Sequence, residues 1–318
     1  MRLRRSRSHS VWAASSVLVL CTGIARAGHA QACCAGGAAV TPGRLELYEQ
    51  GLMGLELKAG EVFGAFDSGG RFAPLPPQAS ELDLEQDLFG VVRVLDRGQL
   101  SVLLPLIETR RTSGGLTDFG GGIGDVNAAV RYDVTLAGDS RVVPGVALLA
   151  GATFPTGKPA DAAGLGPLAS GATGIGAYQI NAGLALEQVF GPWLVNATGI
   201  VAQRTARTVG PEGNQVHERL AAQTSWLAAL AYTFPSDIAL AASASYLTEG
   251  NATINGVEDV GTGHRLPTLT LSGLVPLRAA WRLEGGVFGV LPLRLVGLNQ
   301  PASIGLFVTV LRSWSSWI

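Results

Sequence analysis

The sequence predicts an all-β protein, a transmembrane antiparallel β-barrel of about twelve strands that follows a cleaved N-terminal signal peptide. Three observations lead to this fold class. The composition is apolar without a spanning helix, hydrophobic residues alternate with a period of two, and the connections alternate between short and long. A closed barrel can lie in a bilayer because every backbone donor and acceptor is paired with a neighbouring strand.

Composition provides the first observation. Of the 318 residues, 43 are glycine, 47% are hydrophobic and only 15% are charged, against roughly 25% charged in an average soluble domain. After residue 30, no uninterrupted apolar stretch approaches the roughly 18 residues that a spanning helix needs. High apolar content in short, interrupted segments is typical of a transmembrane β-barrel or of a large secreted β-sandwich.

The first 30 residues predict a secretory signal peptide. Four arginines within the first seven residues precede an apolar run over 11–25, and small residues then offer cleavage near Ala27 or Ala30. Removal of this peptide takes away five arginines and no acid, so the mature chain is acidic and lacks the basic surface of a nucleic-acid-binding protein. The predicted divisions are therefore a signal peptide over 1–30, an N-terminal periplasmic segment over 31–50 and an outer-membrane barrel over 51–318.

The three cysteines lie at the N-terminal end of the chain. Cys21 falls within the predicted signal peptide, and Cys33 and Cys34 are adjacent, so no disulfide links distant parts of the sequence. A lipid-modified Cys33 is an alternative, although the preceding residues lack the leucine that such a processing site usually contains.

Hydrophobic alternation is the second observation. From about residue 51 onward, apolar residues recur at every second position, as they do in strands with unlike faces. The stretch 125–136 places Val126, Val130 and Tyr132 on one face, and Arg131 and Asp133 on the other. Comparable alternation runs over 81–94, 178–187 and 303–310. Segments of about 11–16 residues suit tilted strands that cross a bilayer and project beyond it.

Connections of two lengths are the third observation. Short turns are predicted at 96–98, 137–139, 191–192, 235–237 and 276–278, where the residues favour chain reversal. Longer polar, glycine-rich or proline-rich loops are predicted over about 68–80, 111–120, 156–173, 207–218, 249–264 and 293–301. Five turns and six loops join twelve strands, with both chain ends on the side of the short turns. This pattern is typical of outer-membrane barrels.

The alternating pattern also assigns side chains to the lumen. An arginine on the lipid face costs about 2–4 kcal/mol at the bilayer midplane, so the polar face of each strand should point inward. The predicted lumen-facing residues are Glu81, Asp83, Glu85, Asp87, Arg93, Asp125, Asn127, Arg131, Asp133, Arg282 and Glu284. The residues expected to face lipid include Leu84, Val126, Val130, Tyr132, Leu184 and Val308.

An acidic ladder runs along one predicted strand and consists of Glu81, Asp83, Glu85 and Asp87. One interpretation is a strip that attracts cations or steers a substrate through the lumen. The alternative is that the acids pair with inward arginines of neighbouring strands. The candidates for such pairing are Arg93, Arg131 and Arg282.

Several glycine-containing motifs carry a family resemblance. Gly122-Ile123-Gly124-Asp125, followed by alternation into Arg131-Tyr132, resembles a strand of the outer-membrane barrels grouped as the MetA-pathway of phenol degradation family. Phe154-Pro155-Thr156-Gly157 resembles the strand-ending Pro-Thr-Gly of that family. The next hairpin of that family is similar to two further stretches of this sequence, Thr173-Gly174-Ile175-Gly176 and Phe190-Gly191-Pro192-Trp193. The resemblance covers roughly residues 51–318. It implies a relationship to channels of the long-chain fatty acid transporter type and passage of small apolar or aromatic molecules.

Two functions of different classes are compatible with these features. The first is a passive transporter or channel for small, hydrophobic or aromatic solutes in the outer membrane of a Gram-negative-type bacterium. The second is a structural or surface-interaction barrel without transport, because side chains could fill a twelve-strand lumen completely. The expected partners are outer-membrane lipid and lipopolysaccharide, a small solute and the barrel-insertion machinery.

Catalysis is not expected from this sequence. A hydrolase of the outer-membrane type needs a histidine and a serine on adjacent membrane strands. After residue 30 the only histidines are His217 and His264, and both fall at or within predicted loops. No cofactor and no metal are expected.

Overall fold

The computed structural model describes residues 44–162, 164–210, 215–278 and 280–315. The predicted signal peptide and the Cys33–Cys34 pair lie outside the described residues. The strands are β1 (Glu49–Phe66), β2 (Phe72–Pro74), β3 (Ser80–Leu95), β4 (Gly98–Ser113), β5 (Leu116–Ile123), β6 (Val126–Thr135), β7 (Gly145–Phe154), β8 (Gln179–Phe190), β9 (Trp193–Arg204), β10 (Arg207–Val209), β11 (Val216–Arg219), β12 (Gln223–Thr233), β13 (Ala239–Glu249), β14 (Thr253–Ile254), β15 (Val257–Glu258), β16 (His264–Pro276), β17 (Trp281–Gly289) and β18 (Pro301–Ser315). The described part of the chain has no helix that is long and apolar enough to cross a membrane.

The long strands close into an antiparallel barrel. Their order around the wall is β1, β3, β4, β5 with β6, β7, β8, β9, β12, β13, β16, β17 and β18. β5 and β6 occupy one position because both pair with β4. Closure comes from β18, which pairs with β1 along its length, from Glu49 opposite Ser315 to Ala65 opposite Pro301. The prediction of a twelve-stranded antiparallel barrel is confirmed.

Except for the turn at Gly114 and Gly115, short turns and long loops lie at opposite ends of the barrel. The inner end, as we name it, carries the short connections 96–97, 136–144, 191–192, 234–238 and 277–280, together with both ends of the described chain. The outer end carries the long connections 67–79, 155–178, 205–222, 250–263 and 290–300. Two of these outer loops share a small sheet in the order β10, β11, β14 and β15.

One predicted outer loop is wrong. The sequence predicted a loop over 111–120, but β4 and β5 continue through it and pair from Ser113 opposite Leu116 down to Leu106 opposite Ile123. Only Gly114 and Gly115 reverse the chain, at φ values of +58° and +82° that favour glycine. Two residues suffice here because both glycines can adopt the left-handed region.

Side chains alternate between the barrel interior and the outer wall. On the wall, Val130 is 45% and Leu184 is 52% exposed. On the opposite face, Asp133 is 4% and Glu284 is 3% exposed. Apolar side chains therefore cover the outside, whereas charged and polar side chains are packed within.

Candidate functional site

A cavity of about 380 Å³ lies inside the barrel. Leu103 of β4 and Ser225 of β12 both line it, although these two strands are nearly opposite each other in the wall. Strands so far apart can share a cavity only across the interior. The polar and aromatic side chains around this cavity therefore belong to the inner surface of the barrel.

The lining of the cavity is acidic. Its charged lining residues are Glu56, Lys58, Glu85, Asp87 and Glu284. Lys58 Nζ donates to Glu85 Oε2 at 3.0 Å, and Thr309 Oγ1 donates to Glu56 Oε2 at 2.9 Å. Carboxylates outnumber cations along this lining, so the middle of the lumen favours positive charge.

Two of these charged residues, Glu56 and Lys58, were missed by the sequence interpretation. A signal was present, because they alternate with Leu55 and Leu57 on β1. Leu55 is 44% exposed on the outer wall, and Leu57 is 49% exposed. The same period-two argument that assigned the β3 acids would have placed both charges inside.

The outer half of the acidic ladder is paired with β4. Arg111 Nη2 donates to Glu81 Oε1 at 3.0 Å, and Thr109 Oγ1 donates to Asp83 Oδ1 at 2.8 Å. The hypothesis that Arg93, Arg131 and Arg282 pair with this ladder is wrong. Lys58 and Arg111 provide the ion pairs instead, because they lie on the two strands adjacent to β3.

At the inner end, a buried ion-pair cluster crosses from β6 to β8. Arg131 Nη2 lies 2.8 Å from Asp133 Oδ1 and 3.0 Å from Glu187 Oε1. Arg44, which precedes β1, pairs with the other carboxylate oxygen of Glu187, Oε2. Asn196 Nδ2 also donates to Glu187, at 3.2 Å. Glu187, another residue that the sequence interpretation missed, therefore joins the wall to the N-terminal segment.

A second cluster holds the same segment to the opposite wall. Arg282 of β17 donates from Nη1 to Glu46 Oε1 and from Nη2 to Glu49 Oε1, each at 2.8 Å. Arg93 donates to the backbone oxygens of Glu49 at 2.8 Å and Glu46 at 2.6 Å.

Leu45 anchors the segment between these two clusters. Its side chain is 3% exposed and packs in a core cluster with Leu52, Phe89, Val91 and Leu311. Residues 44–48, which we name the inner segment, thus fill part of the inner end of the barrel.

Asp125 occupies the break between β5 and β6. Its Oδ1 accepts a hydrogen bond from Gly157 N at 2.9 Å, and its Oδ2 accepts one from Ile175 N at 2.7 Å. Gly157 and Ile175 belong to the two ends of the connection 155–178. The carboxylate therefore closes this outer loop at its base.

Two threonines complete the closure of the loop. Thr156 Oγ1 donates to Gly124 O at 2.6 Å, and Thr173 Oγ1 donates to Ile123 O at 2.9 Å. A Cβ at Gly174 would come within 2.8 Å of Gly157 Cα, so this close approach requires glycine. The motifs around Asp125, Thr156 and Thr173, far apart in sequence, meet at this point.

Asn127 lies just inward of this junction. Its Nδ2 donates to Thr153 Oγ1 of β7 at 2.9 Å, which ties two neighbouring strands together on the lumen side. With this contact, every predicted lumen residue has a position. Glu85, Asp87 and Glu284 line the cavity, whereas Glu81 and Asp83 lie nearer the outer end of β3. The three arginines and Asp133 lie at the inner end, and Asp125 and Asn127 lie at the base of the outer loop.

The outer loop is also held near its middle. Asp118 Oδ2 accepts from Leu168 N at 3.0 Å and from Ser170 N at 3.4 Å. Arg111 Nη1 donates to the backbone oxygens of Leu168 and Ala169, each at 3.1 Å. Loop and barrel rim are therefore joined by charge-assisted hydrogen bonds.

Acidification is expected to release this loop. The hydrogen bond from Leu168 N, with that from Ser170 N, lowers the pKa of Asp118 below its ordinary value. Asp118 lies outside the membrane-spanning segments, because the ten residues of β6 already suffice to cross a bilayer. A lowered pKa means that the stabilisation is complete above the ordinary pKa and is lost as the pH falls through the pKa of the folded form.

Hydrogen exchange of the amides of 164–170 measures this release. Their protection should fall on acidification, and Asp118→Asn should lower it already at neutral pH. Asp139→Asn, in an exposed inner turn, is the matched control and should leave it unchanged. Protection that is equal at neutral and acidic pH would contradict the assigned role of Asp118.

Comparison with known proteins matches the barrel at the level of structure. No family model and no curated protein matches this sequence. An outer-membrane channel from Pseudomonas putida F1 matches with a TM-score of 0.68 and 14% identity, over 92% of this chain and 100% of that one.

Looser matches include the β domain of the Bordetella autotransporter BrkA, with a TM-score of 0.46 and 11% identity, over 84% of this chain and 100% of that one. The Pseudomonas putida toluene transporter TodX matches with a TM-score of 0.43 and 10% identity, over 90% of this chain and 95% of that one. Membership of the MetA-pathway family stays a prediction. What the match to the Pseudomonas putida F1 channel shows is the fold: this chain forms a twelve-stranded barrel of the outer-membrane type.

Proposed function

We propose that this protein is a passive outer-membrane channel for small solutes, and that these solutes are hydrophobic or aromatic. The observation that carries the proposal is the cavity of about 380 Å³ that lies across the interior of a closed barrel. A closed sheet needs no interior space for its own hydrogen bonding. An open interior lined by both polar and apolar side chains is therefore better suited to passage than to a purely structural role.

The lining supports the finer part of the proposal. Phe288 and Phe307 face the cavity, and Leu103, Leu247 and Leu266 contribute apolar surface. Lys58 Nζ lies 5.2 Å from the centroid of the Phe288 ring. A flat apolar solute could contact these rings, while Lys58, Glu85 and Asp87 keep the adjacent part of the lining hydrated.

Passage requires a change at the inner end. The inner segment is joined to Glu187 on one wall and to Arg282 on the other, so a solute must displace it or pass beside it. Because these ion pairs are largely buried and Leu45 packs in an apolar cluster, displacing the inner segment costs free energy, and we expect this segment to limit passage. The same filling favours the second candidate function, a structural or surface-interaction barrel without transport.

Reconstitution into planar bilayers and liposomes tests the proposal. We expect ion conductance and uptake of small aromatic solutes by the wild type. Because rings of acids select cations, the double variant Glu85→Gln/Asp87→Asn should lower the permeability ratio of cations over anions at least ~3-fold. Glu61→Gln removes an exposed acid of β1 outside the cavity lining and is the matched control.

Loss of both conductance and uptake in a demonstrably folded barrel would favour the structural function. Heat-modifiable mobility on gels establishes folding in that experiment.

Arg131→Ala removes an arginine of the inner ion-pair cluster. If the inner end limits passage, this variant should raise the conductance above that of the wild type. Outer-membrane location and insertion by the barrel-insertion machinery belong to the same proposal, and membrane fractionation tests them.

A further inference from the structure

The outer wall of the barrel carries a second concavity, of about 830 Å³. It extends across β8, β9, β12, β13 and β16 and is bounded by the connection 290–300. We name it the wall groove. It lies on the opposite side of the sheet from the lumen, because its exposed members are the outward residues of each strand, such as Leu184, Val201 and Leu269.

The connection 290–300 forms one side of the wall groove. Leu291, Leu293 and Val296 line it, and Tyr246 Oη of β13 donates to Val296 O at 3.2 Å. Trp226 of β12 lies in the lining and is 60% exposed. An apolar hollow with a fixed side thus replaces the convex surface that a barrel ordinarily presents to lipid.

The wall groove lies in the outer half of the barrel. Its members on β12 and β16 follow the outer ends of these strands by only a few residues, as Trp226 follows Gln223 and Pro267 follows His264. At about 3.3 Å per residue, these positions correspond to the outer leaflet of a bilayer that the barrel spans.

Two arginines flank the apolar lining. Arg265 lies on the outward face of β16, two residues before Pro267, and Arg294 lies in the connection between Leu293 and Val296. Both are exposed, and neither forms a salt bridge with any residue that the structure describes. Free guanidinium groups next to apolar surface match an anionic headgroup followed by an acyl chain.

We propose that the wall groove binds a phosphate-bearing lipid of the outer leaflet. The acyl chain fills the apolar lining between Leu184 and Leu291, and Arg265 and Arg294 hold the phosphate at the outer rim. Guanidinium pairs phosphate in a bidentate manner, and the apolar surroundings strengthen this contact relative to water. The inference rests on the membrane location of the barrel and is independent of whether the lumen conducts.

Lipid A is the probe, because it combines phosphates with acyl chains, and dephosphorylated lipid A is its control. Native mass spectrometry of the detergent-solubilised full-length barrel measures the affinity of both. The wild type should bind lipid A about tenfold more tightly than the dephosphorylated form, since one arginine–phosphate contact contributes roughly this factor. Arg265→Gln/Arg294→Gln should abolish the difference.

Matched variants separate this site from general electrostatics and from folding. Arg110→Gln removes another exposed, outward arginine, on β4 away from the wall groove. It should leave the difference in affinity between lipid A and its dephosphorylated form unchanged. Ala244→Phe fills the wall groove and should lower the affinity for both lipids. Ala150→Phe, on the outer face of β7, should lower the affinity for neither. All these positions are exposed, on the outer wall or in the connection 290–300, so the variants should fold.

Three results would overturn the proposal. The first is equal affinity of the wild type for the two lipids. The second is an equal loss on Arg110→Gln, which would indicate unspecific attraction of anions. The third is a disulfide dimer of Ala244→Cys in lipid nanodiscs, which would assign the wall groove to a second copy of the chain.

Discussion

Glu187→Ala should lower the free energy of unfolding by about 3–5 kcal/mol, the usual cost of removing one partner from a buried ion pair. Glu187 is 5% exposed, and its carboxylate is shared by Arg131 of the wall and Arg44 of the inner segment. Removing it leaves two largely buried guanidinium groups short of one negative charge. The temperature at which heat-modifiable mobility is lost measures the change.

The same variant should raise the conductance in planar bilayers, because the inner segment loses its contact to β8. Glu85→Gln is the control for stability. The pair of Lys58 with Glu85 is about one-third exposed on both sides, so its loss should cost no more than about 1 kcal/mol. Equal destabilisation by the two variants would contradict the role of burial, and unchanged conductance in Glu187→Ala would mean that the inner segment does not limit passage.

Asp125→Ala should detach both ends of the outer loop from the barrel. Two backbone N–H groups, those of Gly157 and Ile175, lose their charged acceptor. Hydrogen bonds to charged groups contribute about 1.5–3 kcal/mol each when buried, and at this half-buried position we expect a loss of about 2–4 kcal/mol for the pair. Hydrogen exchange of the amides around 157 and 175 and proteolysis of the connection 155–178 measure the loss.

Asp125→Asn provides the graded comparison. The amide keeps one oxygen acceptor and loses the charge, so its effect should lie between wild type and Asp125→Ala. Asn127→Ala, which removes the neighbouring contact to Thr153, should leave the loop ends protected. Protection that persists in Asp125→Ala would show that Thr156 and Thr173 hold the loop without the carboxylate.

The sequence by itself determined the barrel, the number of its strands and, except at 114–115, the end at which each class of connection lies. Alternation with a period of two is a local property of a strand, and turn residues act within a few positions, so both can be interpreted without knowledge of the partners. The wrong prediction of a loop over 111–120 also arose because these signals are local. Polar residues and glycines mark a loop, yet whether the strands continue up to Gly114 depends on pairing between β4 and β5.

Tertiary structure alone decided which charges meet. Arg282 and Glu46 are 236 positions apart and come together because β17 lies two strands from β1 around the closed wall. The acids of β3 pair with Lys58 and Arg111 because strand order and register bring these side chains to the same height. Strand order, register and the folding of the inner segment and outer loops onto the barrel are set by the summed pairing energy of the whole sheet. No single stretch of sequence contains that sum, so the contacts between these charged side chains could not be predicted from the sequence alone.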